Sequence, residues 1–162
     1  MSSIFNMSFI DLDLPVSLTT TSNDPIKEFF EPVLGVAVSY DVAVGYFSSN
    51  WIRDAAKGIA MFAKNGGHSR WVISPQLSQK DWDLLSGATL DDKKKIVENI
   101  SIKSIEELQE GLEIETRKTI GWLIVDRILE FKLAVPKNNL DGIFHAKMGI
   151  LKDIDGNKVA FS

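Results

Sequence analysis

The chain has 162 residues, 44% of them apolar and 25% charged, with a net charge of −4 and no cysteine, the profile of one globular domain with a real core. Disulfides and thiolate metal sites are excluded, two histidines are too few for a histidine-rich metal centre, and the acidity argues against a protein that coats nucleic acid through clustered Lys and Arg. No apolar run approaches the roughly 20 residues that span a bilayer, and "MSSIFNMSFIDLDL" lacks the basic start of a signal peptide. A cytoplasmic protein without a membrane segment is expected.

In chain order, Phe5, Met7 and Phe9 alternate along Ser3 to Leu12 and predict a first half-buried strand. Asp24 as N-cap with Pro25 after it predicts a helix that Pro32 and Gly35 limit. Val42 to Phe47 runs almost without a polar break, the pattern of a strand buried on both faces. After Ser48-Ser49, Asn50 caps a helix whose stripe is Trp51, Ile52, Ala55, Ala56, Ile59, Ala60 and Ala63, stopped by Gly66-Gly67. "SRWVISP" is then the second, parallel strand of a βαβ unit, ending at Ser74-Pro75.

A short helix follows around Trp82 and Leu85, and two more are predicted between Leu90 and Leu129, with Ser104 and Glu107 as a capping box. The mixed charges of "DDKKKIVENISIKSIEELQEGLEIETRK" read as solvated helical faces. "LEFKLAVP" predicts a further strand. Ile143 to Leu151 predicts the next, with Phe144, Ala146, Met148 and Ile150 on a core face and His145, Lys147, Gly149 and Leu151 opposite. Gly149 would leave room for something to approach the backbone. The turn Asp155-Gly156-Asn157 returns Lys158 to Ser162 as an antiparallel partner. The fold class is therefore α/β, a mixed β-sheet with flanking helices in a single domain, residues 1–162.

Sites in such sheets form at the carboxyl ends of strands, which points to Ser48, Ser49 and Ser74 as candidate substrate-binding residues, although serines in these places also serve as turn and cap residues. His68, entering a strand after two glycines, reads as an exposed loop histidine. An imidazole and an ammonium on one strand face, His145 and Lys147, suit an anion-binding or phosphoryl-transfer site. Taken alone, a His-x-Lys tripeptide is a weak signal, better explained by an ordinary surface strand.

Three segments, "YDVAVGYFSSNWIRDAAKGIAMF", "NGGHSRWVISPQLS" and "FHAKMGILKDIDGNKVAFS", together make the chain resemble the phospholipase D-like superfamily, in particular the nuclease-like domain at the N-terminus of bacterial helicases and of restriction or phage-defence proteins. The resemblance implies that His145-Ala146-Lys147 opens the family signature. A Gly-Ser-x-Asn segment would close it beyond Ser162, so the chain is expected to be a piece of a longer protein. The family's acid is expected where Lys152 stands, which leaves Asp153 and Asp155 as candidate supporting acids.

The resemblance further implies catalysis without metal or cofactor. One histidine attacks phosphorus, a second serves as general acid and then base, and lysine holds phosphate oxygens. A chain with one signature would take its second histidine from a symmetry mate, so a homodimer with its two-fold axis near His145 is expected. DNA and a C-terminal helicase region of the same longer chain are the other expected partners. The rival expectation is a non-catalytic dimerisation or DNA-docking domain that keeps the fold; a lipid-directed phospholipase ranks third.

Overall fold

In β1 (Ser39–Val44), Tyr40 and Val42 are buried while Ser39, Asp41 and Ala43 are partly exposed, so the strand has one core face, and expected burial on both faces is not what forms. The computed structural model describes residues 7–19, 21, 23–45, 49–74, 83–84, 87–89, 91–96, 98–99, 102, 114–134 and 147–162. His145, Ser48, the expected strand before Met7 and the expected helices around Trp82 and over Ser104–Glu107 fall outside these residues in whole or in large part.

Five strands form one mixed open sheet: β2 (His68–Ile73), β3 (Leu129–Leu133), β4 (Lys147–Lys152) and β5 (Lys158–Phe161) join β1 in the order β3-β2-β1-β4-β5. β1, β2 and β3 are mutually parallel, whereas β4 is antiparallel to β1 and β5 to β4. Between β1 and β2 the chain runs through α2 (Ser49–Asp54) and α3 (Ala56–Lys64). The expected single helix breaks between them at Ala55, whose backbone leaves helical values. α4 (Ile114–Val125) leads into β3 through a Schellman turn, with Ile128 N–H donating to Leu123 and Arg127 N–H to Ile124.

The N-terminal region departs most from the sequence pattern. Phe9–Asp11 is a 3-10 turn capped by Ser8, not part of a strand. Asp24 does cap, accepting from the Lys27 N–H at 3.3 Å, but the first turn is a π-helix, Ile26–Phe30, that runs into α1 (Glu31–Val36). Pro32 and Gly35 lie inside α1 rather than ending it. A π turn brings successive side chains closer in direction than an α turn does. Phe29 and Phe30 both meet the Phe161 ring edge-on, at centroid separations of 5.9 and 5.3 Å.

The four helices α1 to α4 bury against one face of the sheet. Val33 and Leu34 of α1, Ile52, Ala55 and Phe62 around α2 and α3, and Ile120 and Leu123 of α4 share one core with Tyr40, Val42, Trp71, Ile73, Leu129 and Leu151. Each large side chain buried there contributes about 1.5–3 kcal/mol. The opposite face carries His68, Arg70 and Val72 on β2, Asp41 and Ala43 on β1, Met148 and Ile150 on β4, and Ala160 on β5, none of them buried.

Candidate functional site

Strand pairing fixes the rim of the sheet. Lys147, the first residue of β4, is opposite Val44, Val44 is opposite Ile73, and Ile73 is opposite Leu133. One exposed cation therefore stands in line with the last residues of all three parallel strands. Ser74 follows Ile73 directly and is half-buried, and Ser49 opens α2 just beyond β1. Of the sequence candidates, Lys147, Ser74 and the first turn of α2 share this rim. His145, two residues before Lys147, and Ser48 lie outside the described residues.

The two acids are not brought to Lys147. Asp153 follows the last residue of β4 and Asp155 lies in the turn beyond it. Asp153 lies six residue steps of extended chain from Lys147, about 20 Å at the usual strand rise. Asp155 is exposed, while Asp153 has no exposed surface at all. Its carboxylate accepts from the Ser8 hydroxyl at 2.7 Å, the Phe9 N–H at 2.9 Å, the Asn157 N–H at 2.8 Å and the Asn157 side-chain amide at 3.0 Å. Burial pushes the Asp153 carboxyl up, but those donors outweigh it and hold the group well below the usual carboxylate range. Lys152, in the place expected of the family acid, is exposed, and its carbonyl accepts from Val38 N–H at 2.9 Å.

The core face of β4 is the reverse of the one expected. Gly149 and Leu151 are buried, whereas Met148 and Ile150 are 49% and 52% exposed. The room that Gly149 leaves is filled by the protein itself: a Cβ there would lie 2.5 Å from the Phe161 ring and 3.0 Å from Tyr40. His68 is exposed as expected, though it begins β2 rather than sitting in a turn, with Nε2 3.7 Å from a Glu130 carboxylate oxygen. It lies at the end of the sheet opposite Lys147.

Two polar constellations carried no sequence signal. The first is the Ser8-Asp153-Asn157 network, whose members Ser8 and Asp153 are 145 positions apart. The second is the outer-face fork in which Arg70 Nε and a terminal nitrogen reach the two Asp41 carboxylate oxygens at 2.7 and 2.5 Å. That guanidinium holds the Asp41 carboxyl below its ordinary value. Strand pairing alone makes Asp41 and Arg70 neighbours.

A cleft of about 650 Å³ opens at the end of the sheet away from Lys147, between α1, α3 and the N-terminal segment, with Val38, Met61, Asn65 and Ile154 in its walls. A shallower depression of about 500 Å³ lies on the outer face over Val72, Met148, Ile150 and Ala160. No helix among the described residues is long and apolar enough to cross a membrane. No family model matches the chain, and neither a curated protein nor a solved structure matches it.

Proposed function

We propose that this chain is a phosphodiesterase module of phospholipase D-like type, a metal-independent DNA nuclease that works in the cytoplasm as part of a longer helicase or restriction-type protein. The observation that carries it is the position of Lys147, an exposed cation in line with the carboxyl ends of the three parallel strands, where α/β sheets bind ligands. His145, two residues earlier in the sequence, is the nucleophile. Its imidazole nitrogen bonds to phosphorus as the P–O bond to the leaving oxygen breaks. The His145 of a second copy protonates that oxygen, then takes a proton from the water that hydrolyses the phosphohistidine. Lys147 holds non-bridging oxygens as charge develops on them.

The test is cleavage of a DNA substrate by the full-length protein in excess chelator. His145→Ala is expected to abolish turnover, and Lys147→Ala to lower it by about 10²–10³. Cleavage that survives His145→Ala, or that needs added magnesium, overturns the reading.

A second reading, a non-catalytic dimerisation or DNA-docking domain, is favoured by the outer face of the sheet, where Met148 and Ile150 are half-exposed beside Val72 and Ala160, and by Lys152 in place of the acid. It predicts a full-length protein that binds DNA or self-associates without cutting.

A further inference from the structure

The hydrophobic pattern of β4 does not specify its own register. Along Lys147-Met148-Gly149-Ile150-Leu151-Lys152, one face offers Met148 and Ile150 and the other Gly149 and Leu151. By apolar content the first is the better core face, yet the second is the one buried. Because side chains alternate with period 2, a slip of one residue against β1 exchanges the faces and moves Lys147 from the row of Val44 to the outer side. Some feature outside the hydrophobic pattern decides between the two arrangements.

We propose that Asp153 is the register pin of β4, and thereby the positioning residue that decides on which side of the sheet Lys147 is presented. The pin has a fixed place, since Asp153 follows β4 directly and its carboxylate is satisfied from two sides. Ser8 and the Phe9 N–H hold it from the N-terminal segment, and Asn157 holds it from the hairpin turn. The Asn157 amide also donates to Ser8 at 2.8 Å, closing the triangle. Backbone bonds from Asp153 N–H to Asn157 and from Gly156 N–H to Asp153 shape the turn, where Gly156 takes a φ of 90°. A slip of about 3.4 Å against β1 would pull the carboxylate away from the Ser8 hydroxyl and the Phe9 N–H, while Asn157 travels with the hairpin, and would leave a buried charge short of two of its four donors, a penalty the apolar pattern of β4 cannot offset.

The chain has no cysteine, so an introduced pair reports register directly. Ala43 is opposite Met148. Ala43→Cys in the full chain is therefore expected to bridge to Met148→Cys and not to Lys147→Cys when treated with a short thiol cross-linker. Adding Asp153→Ala is expected to remove the 43–148 bridge from much of the folded monomer and to produce the 43–147 bridge. If Asp153→Ala does not fold, Asn157→Ala, which removes only the side-chain part of the network, carries the same comparison and is expected to give a smaller shift in the same direction. Bridging that stays wholly with residue 148 in folded Asp153→Ala, or in Asn157→Ala where that stands in for it, overturns the proposal even if the variant melts at a lower temperature, because register is the readout. The value of Lys147 as a phosphate contact rests on the proposed phosphodiesterase. The bridging pattern does not, so failure of DNA cleavage and failure of the pin are read separately.

Discussion

On the inner face of the sheet, Tyr40, Val42, Trp71, Leu129 and Leu151 are buried beneath α1 to α4, and edge-on aromatic contacts such as Trp51–Trp71 at 5.2 Å tie helices to strands. On the outer face the alternate residues of the same strands divide into two halves. Across β1, β2 and β3 run charges in contact, Asp41 with Arg70 and Glu130 with Lys132. Across β4 and β5, Met148, Ile150 and Ala160 are apolar and exposed, with the paired Lys152 and Lys158 at the end of that face. The difference teaches that apolar composition alone does not choose a core face. The face that won on β4 has the smaller residue, Gly149, because only Gly149 admits the Phe161 ring, and because Asp153 fixes the strand end.

The comparison is tested most severely by neighbouring substitutions. Leu151→Ala, on the inner face and fully buried, is expected to cost about 2–5 kcal/mol in urea denaturation. Ile150→Ala, one residue earlier and half-exposed, is expected to cost about 1 kcal/mol or less. Equal costs would mean that the two faces are not distinguished as described.

Asp153→Asn places an amide among four donors and is expected to lose about 2–3 kcal/mol. The pH dependence follows from the lowered carboxyl of Asp153. A group whose folded pKa lies below its unfolded value contributes stability that is complete above the unfolded value, about pH 4, and is lost as pH falls toward the folded one. The wild type is therefore expected to lose stability below about pH 4 more steeply than Asp153→Asn, measured by thermal melts across that range. Identical slopes would show that Asp153 is not the group responsible.

On the outer face the effects are smaller. Arg70→Ala removes an ion pair whose side chains are 53% and 42% exposed, so a loss smaller than that of any inner-face substitution is expected, shrinking with added salt. Ile150→Lys is expected to change stability by less than about 0.5 kcal/mol. A markedly larger loss would place Ile150 against another surface in solution and favour the docking reading over a solvated face.

Much of the architecture was legible in the sequence because it rests on local chemistry. The βαβ unit through Ser39–Ile73 followed from apolar runs and polar breaks, and the β4–β5 hairpin from Asp155-Gly156-Asn157. Local rules misjudged places where a distant partner intervenes. The Phe9 region bends into a capped turn because Asp153 takes its N–H and the Ser8 hydroxyl, and the π turn at Ile26–Phe30 sets two adjacent rings against Phe161. Of the candidate site, Ser74 at the rim followed from the βαβ reading, whereas the alignment of Lys147 with that rim depends on the antiparallel pairing of β4 with β1. Asp153 reads in sequence as an acid near the signature; its place past the end of β4 follows from the length of the strand, but its burial among Ser8, Phe9 and Asn157 does not.

By itself, then, the sequence determined the α/β class, the parallel pairing of β1 with β2 and the closing hairpin, because period-2 alternation, capping residues and turn residues act within a few positions of one another. Which face of β4 is buried, which groups enclose Asp153 and which side of the sheet meets the helices were decided only in the tertiary structure. The reason is physical: each depends on a contact between residues far apart in the chain, Ser8 with Asp153 and Tyr40 with Phe161, and such contacts leave no trace in local pattern.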